Sequence, residues 1–433
     1  MSHTRLHKNH NPHRIFRRHD PDRHAHGNMY SPWKLDSGYL IPIPKSFKVA
    51  FGPDSYSVVS GDSYWKIAEM KYGHGKYYRH IKKANGNKEV IHPGDVLHIP
   101  RLEIPYLEAF LNTKGDDKKI KAILNQITEK DWYDFLRNLD KQKGLKHSSL
   151  LQRIEMIRVA GQTFDEMAQT QLTFLEGKAT GEGKSVGQYI KDETTSRGYG
   201  GGVVSWWINL KPKDRRRWTR RFYKMVADIK KTAPQDIKDI IKFAEARGGG
   251  FVWAPAETEK NGAFGFTRGD YKLYAGKEWL ISATVDQASV YANIAHEMVG
   301  HNRYGGSTSW EIMKGSLAKM SNTERTLANS GNNSIFSAYG YMETEIFAEL
   351  YEHKYDRIDN PTDHPFDFPG DPQGRFEDVK KKLESIKENF APKVAEATVK
   401  GLWVRVMFDD FISSGTQSKL KDRIKTVFGF SLP

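Results

Sequence analysis

The chain has 433 residues, with 67 Lys and Arg against 53 Asp and Glu, for a formal net charge of +14. Hydrophobic residues make up 38% and aromatic residues 12%, enough to build cores for two or three domains of a globular protein. Cysteine is absent, which excludes disulfides, thiolate metal ligands and cysteine nucleophiles, and no run of about 18 apolar residues offers a membrane span.

Residues 1–27 hold seven histidines (His3, His7, His10, His13, His19, His24 and His26) and six Arg or Lys among few apolar side chains. Such a stretch cannot bury enough surface to fold alone, so residues 1–30 are expected to be a disordered tail. The histidines lack regular spacing, which makes them a poor metal site; targeting or loading is the alternative use. No apolar core of a Sec signal occurs there, so export or injection by a specialised secretion system is expected, with action at a bacterial envelope or in a target cell.

Residues 54–100 change character. Tyr56 to Val59 alternate as a short strand, Gly61-Asp62 makes a turn, and Asp62 or Ser63 can cap a helix running through Trp65, Ile67 and Ala68. After a break at Tyr72-Gly73, a second helical piece spans Tyr77 to Ala84, and Pro93-Gly94 turns into a closing strand ending at Ile99-Pro100. This order resembles the LysM module over its whole length, through Gly61-Asp62-Ser63, Trp65-x-Ile67-Ala68, Ala84-Asn85 and Pro93-Gly94-x-x-Leu97-x-Ile99-Pro100. The resemblance implies a βααβ fold that binds peptidoglycan or another N-acetylglucosamine polymer. The groove would lie between Gly61, Asp62, Ser63 and Tyr64 on one side and Asn85, Ile91 and Pro93 on the other. Modules of this kind also serve as structural connectors in phage tails and contractile injection machines, so a spike or baseplate is the competing partner.

Residues 115–250 read as a helical region. Ile120, Ile123, Leu124 and Ile127, then Trp132, Phe135, Leu136 and Leu139, then Leu150, Leu151, Ile154 and Ile157 recur at three and four residues, the pattern of ordinary helical core. Gly198 to Gly202 is a glycine-rich break without phosphate-loop features. Lys211 to Lys224 packs eight basic residues beside Trp218, Phe222 and Tyr223. Such a patch suits a polyanion or a membrane surface, but Trp218, Phe222 and Met225 fall at helical spacing, which predicts a solvated basic face over a buried apolar one. No nucleic-acid fold signature accompanies it.

Residues 251–433 carry the chemistry. Tyr271 to Val285 reads as two strands around Ala275-Gly276-Lys277, with Glu278 to Thr284 as an edge that could align an extended substrate. His296-Glu297-Met298-Val299-Gly300-His301 then supplies two imidazoles around a carboxylate. In the common H-E-x-x-H motif the histidines sit about 40° apart around a helix; the five-residue gap here would separate them by about 140°. One ion cannot be held that way on a regular helix. The extra residue must be absorbed by a π-bulge or by loosening near Gly300.

A second carboxylate run follows at Glu345-Ile346-Phe347-Ala348-Glu349. Apolar neighbours, Ile294, Ala295, Met298 and Val299 in one motif and Phe347, Ala348 and Leu350 in the other, place both runs inside the protein, where charges need partners. The H-E-x-x-G-H form and the E-x-x-A-E run resemble the paired zinc motifs of the dipeptidyl peptidase III family. The likeness is confined to these short stretches. It implies a zincin-like site in which His296, His301 and Glu345 hold Zn2+, Glu297 is the general base and Glu349 orients a histidine ring. That family opens its second motif with two adjacent acids, whereas Thr344 separates Glu343 from Glu345 here, which leaves both as ligand candidates.

Asn360 to Pro372 is a Pro/Asp-rich loop whose Asp363, Asp367 and Asp371 lack calcium-loop spacing, and helices are expected around 376–390 and 393–413. Tyr339, Tyr341 and His353 are candidate oxyanion donors by chain proximity only. The expectation as a whole is an α+β chain: a small βααβ LysM module followed by a mostly helical zincin-like metallohydrolase domain. The reaction expected is cleavage of amide or peptide bonds in bacterial peptidoglycan. The alternatives are a protease toxin effector carried by an injection system, and a non-catalytic baseplate adaptor.

Overall fold

Two short antiparallel ladders frame the first part of the chain. Strand β1 (Lys48–Phe51) pairs with β4 (Leu102–Pro105), and β2 (Asp54–Ser57) pairs with β3 (Val96–Ile99). The structure, a computed structural model, describes residues 47–140, 147–196, 206–261, 264–304, 307–330, 342–352, 375–409 and 411–433. The His/Arg-rich tail, the Gly198–Gly202 break, the 360–372 loop, Tyr339, Tyr341 and His353 lie outside the described residues.

Helices Tyr64–Tyr72 and Tyr78–Ala84 run between β2 and β3, giving the strand-helix-helix-strand order expected for 54–100. Ser63 starts the first by accepting from the Lys66 amide at 3.2 Å, and Gly73, at φ 82°, ends it in the left-handed conformation. Ile67, Ala68, Tyr72, Ile81, Leu97 and Ile99 form the buried centre. The β1–β4 ladder was not expected. Each of its strands buries a single residue, Val49 and Ile104, which face each other in register, so neither shows an alternation long enough to read. The Phe47 ring lies 5.9 Å from both Tyr106 and Phe135, seating this module on helix Glu129–Asp140.

The remainder is mostly helical. The residues picked out by spacing do form the core: Ile120, Trp132, Phe135, Leu136, Leu139, Leu151 and Ile154 are all buried. Helix Ser148–Ala160 packs against Pro392–Met407, Phe164–Gly181 against Thr308–Lys319, and Val186–Ser196 against Asn322–Asn329. Helices from the 115–250 and 251–433 stretches therefore share one packed body. The closing helices span Arg375–Asn389 and Pro392–Met407, with a further one over Ser414–Phe428.

A three-stranded sheet lies beside the carboxylate motifs in the order β5-β7-β6, from β5 (Gly250–Trp253), β6 (Gly265–Phe266) and β7 (Lys272–Ala275). Only half of the expected Tyr271–Val285 hairpin exists. Past Gly276 the chain forms helix Lys277–Val285, so Glu278 to Thr284 is not an edge strand. Trp279, Leu280 and Ala283 are its buried residues, a helical spacing that alternation alone does not distinguish over so short a run. The short edge strand is β6 instead.

Candidate metal centre

The His-Glu motif sits on one helical rod with a wider turn in its middle: α-helix over Gln287–Ile294, π-helix over Ala295–Gly300 and α-helix over His301–Tyr304. The π turn absorbs the extra residue, as the five-residue gap requires. The His301 amide donates to the His296 carbonyl, so one i to i+5 bond joins the two histidines, and their ring centroids lie 4.6 Å apart. Gly300 has a second role not legible in its spacing. A Cβ there would come within 2.9 Å of the Ala348 Cα, so the glycine lets this rod press against helix Met342–Glu352. The small residues of the two motifs are their point of contact.

That contact brings the carboxylate across. His296 Nε2 lies 3.7 Å from one Glu345 oxygen, and His301 Nε2 lies 3.5 Å from the other. Donors bound at about 2.0–2.1 Å with tetrahedral angles stand about 3.4 Å apart, so each imidazole stands from Glu345 at a spacing that a shared divalent ion allows. His296, Glu297 and His301 also present ligand atoms within 4.8 Å of one another, and Glu297 Oε2 is 4.0 Å from His301 Nε2. Glu297 and His296 are buried, while a third of the Glu345 side chain, at 35% exposure, opens the group to solvent.

The charges are set against one another. Burial pushes the Glu297 carboxyl up to about 7, against the opposing pull of His296 and the Thr267 backbone. Burial alone would raise Glu345 as well, but His301, His296 and Lys382 hold it down to about 2. Burial drives His301 down to about 4 despite its carboxylate neighbours. For His296 the desolvation is outweighed by Glu345, Glu297 and Glu349, and its proton affinity rises. Two imidazoles and two carboxylates thus share a space with different protonation preferences, an arrangement typical of working sites.

Glu343 and Glu345 take different directions from the same helix. Glu343 is fully buried, and its Oε1 accepts from Ser307 Oγ at 2.9 Å, Thr308 Oγ1 at 3.0 Å and the Ser309 amide at 3.0 Å. It caps the start of helix Thr308–Lys319, and Glu345 is the residue that faces the histidines. Glu349 accepts from Lys382 Nζ at 3.0 Å and lies close enough to raise the proton affinity of both rings.

Sequence reasoning missed several supports. Asn302, directly after the second histidine, donates to the Glu297 carbonyl at 2.8 Å and to Thr267 Oγ1 at 3.2 Å, and accepts from the Tyr271 amide at 3.0 Å. It fastens the β6–β7 loop to the π turn, at a point where Tyr271 takes the left-handed φ of 57°. Asp409 accepts from Arg303 Nε at 3.0 Å and from the Tyr351 hydroxyl at 2.8 Å, binding the rod, the carboxylate helix and the C-terminal helices together. A polar residue abutting the motif was the available signal for Asn302. Nothing local marks Lys382 or Asp409.

The residues expected to touch glycan lie within the first module. Asp62 Oδ2 accepts from the Val59 amide and the Tyr56 hydroxyl, each at 2.9 Å, and Ser63 caps its helix. Asn85 donates to the Ile81 and His98 carbonyls at 2.8 and 2.7 Å and accepts from the His98 amide at 2.8 Å. Tyr64 is buried, Ile91 is half-buried, and Gly61 and Pro93 are exposed. Among the described residues no helix is long and apolar enough to cross a membrane. No family model, curated protein or solved structure matches the chain.

Proposed function

We propose that this chain is a zinc-dependent hydrolase that cleaves amide or peptide bonds in peptidoglycan, with His296, His301 and Glu345 as the metal ligands. The observation that carries the reading is the convergence of two imidazole nitrogens and one carboxylate at 3.5–3.7 Å across a π turn. Zinc, when bound there, supplies Lewis acidity toward a carbonyl oxygen and toward water. Glu297, buried beside the two histidines, accepts a proton from the attacking water at its carboxylate and returns it to the leaving nitrogen. Asn302 and Thr267 hold the π turn and the β6–β7 loop together, which keeps Glu297 in place. The 54–100 module would retain the polymer and raise its effective concentration at the centre.

A second reading keeps the enzyme and changes the module's task. Asp62, Ser63 and Asn85 use their side chains to build their own turns, which favours a structural connector and with it a protease carried by an injection machine.

The test combines metal analysis with digestion of purified peptidoglycan followed by fragment mass measurement. One zinc per chain, and stem peptides or new amine ends that vanish in Glu297→Gln, are expected. Silence on peptidoglycan with cleavage of cytosolic proteins would favour the second reading. A chain without stoichiometric zinc, whose measured activities are all unchanged by Glu297→Gln, would defeat both and leave a non-catalytic adaptor.

A further inference from the structure

Helix Arg375–Asn389, which packs against the carboxylate helix Met342–Glu352, carries three consecutive lysines with different fates. Val379, Leu383 and Ile386 are buried, at the three- and four-residue spacing of an inward stripe. Lys382 falls on that stripe, three residues after Val379 and four before Ile386. Lys381 is exposed, and Lys380 lies 3.8 Å from Glu384 of its own helix. The Lys382 side chain is only 23% exposed, and its Nζ donates at 3.0 Å to Oε1 of Glu349, whose side chain is 11% exposed.

A lysine on an apolar stripe is costly unless it meets an opposite charge, and Glu349 meets it. The place of the pair is what calls for more than packing. Glu349 follows Glu345 by one helical turn, so two carboxylates project from one face of Met342–Glu352, a like-charge spacing that destabilises a helix when left alone. Glu297 adds a third carboxylate from the rod. Three acids therefore surround two imidazoles, and Lys382 brings a cation against them. Its field reaches both motifs. At His301 burial sets the downward direction and Lys382 adds to it; at Glu345, where His301 and His296 overcome burial, Lys382 adds to their pull.

Charge arithmetic gives the pair its meaning. A divalent ion offsets two of the three carboxylates, and Lys382 offsets the third. Without the lysine, the same donors would hold the ion in a field one charge more negative. That tightens the grip on the cation and weakens the cation's pull on an anionic or electron-rich partner.

Resting on the zinc reading above, we infer that Lys382 is a positioning residue of the metal centre: by engaging Glu349 it limits the negative charge around the ion and preserves the ion's affinity for an incoming anion or carbonyl oxygen.

The experiment measures zinc affinity by chelator competition and azide binding by the absorption of cobalt-loaded protein, on the full chain as wild type, Lys382→Met and Lys382→Arg. Lys382→Met should bind zinc about tenfold more tightly and azide about threefold more weakly, because a monoanion feels the lost charge with half the strength of a dication. Lys382→Arg keeps the charge, so both values should stay within about twofold of wild type. Methionine suits the apolar stripe, and unchanged far-ultraviolet circular dichroism would show that the fold is retained. The opposite signs separate charge from scaffolding, since removing a lysine that only braced the two helices would weaken both ligands together. Zinc and azide falling together, or neither moving, overturns the inference and leaves the zinc reading standing. A wild-type chain that takes up no zinc defeats that reading, and this inference with it.

Discussion

The module of residues 48–105 and the histidine centre both concentrate polar side chains, but their partners differ in kind. In the module, Asp62 and Ser63 bond to amides three residues away, and Asn85 bridges a helix end to β3. Every one of these groups is accounted for by the turn it makes. At the centre, His296, Glu297, His301 and Glu345 come from two separate helices and face one another. Their carboxylates and imidazoles are mutually dependent, and a cation would satisfy them together. A residue whose contacts explain its fold needs no further role; the centre's residues call for one.

The largest expected effect tests this contrast within a single helix. Glu345→Gln removes the carboxylate that faces both imidazoles, and zinc affinity should fall by more than about 100-fold. Glu343→Gln, two residues earlier, should instead cost stability, about 1–3 kcal/mol, because it weakens the cap on Ser307, Thr308 and Ser309, while zinc affinity stays within about tenfold. Competition titration with a chromophoric chelator and thermal unfolding of the same two proteins would show it. The reverse pattern would make Glu343 the ligand.

Next in size is the glycine at which the first motif touches the second. Gly300→Ala places a methyl 2.9 Å from the Ala348 Cα, which forces the rod and the carboxylate helix apart. A loss of about 1–3 kcal/mol is expected, together with weaker zinc binding. Ala348→Gly should restore only part of it, because the nearest atom is backbone. No effect on zinc would mean that the helix contact does not set the ligand spacing, and full rescue would place the clash on the Ala348 methyl rather than its backbone.

How much of this was readable in the sequence follows from where the information lies. The five-residue gap between His296 and His301 demanded a distortion, and the π turn supplies it, because a local geometric conflict has few local solutions. Trp132, Phe135 and Leu139 were legible as core for the same reason. The β1–β4 ladder, the Lys277–Val285 helix and the Asp409 tie were not. Four-residue strands carry too little periodicity, Glu278 to Thr284 is compatible with two periods, and Asp409 meets Arg303 and Tyr351 only through the tertiary fold. The sequence also presented Gly300 as a place for loosening, where its closest constraint is Ala348 across the interface.

A smaller effect separates the two regions by pH. In metal-free protein the Glu297 carboxyl is raised from 4.5 to about 7, so the fold holds its proton more tightly than the unfolded chain does. Stability arising from that group is present below pH 4.5 and is lost as pH rises through 7. Glu297→Gln removes the loss, so the variant should gain on wild type across that window, as followed by urea unfolding at a series of pH values. A stability difference that stays flat from pH 4.5 to 7 would mean that burial does not perturb this carboxyl.

The smallest effect bears on the module. Ser63→Ala removes the cap on the Lys66 amide and should cost about 1 kcal/mol. Because that hydroxyl already serves the helix, binding of N-acetylglucosamine oligomers should change little, and zinc content not at all. A large loss of oligomer affinity, exceeding what the lost stability explains, would show that Ser63 reaches the glycan as well as its own backbone. The polar side chains of the module would then have two partners each, and their engagement in turns would no longer argue for a connector.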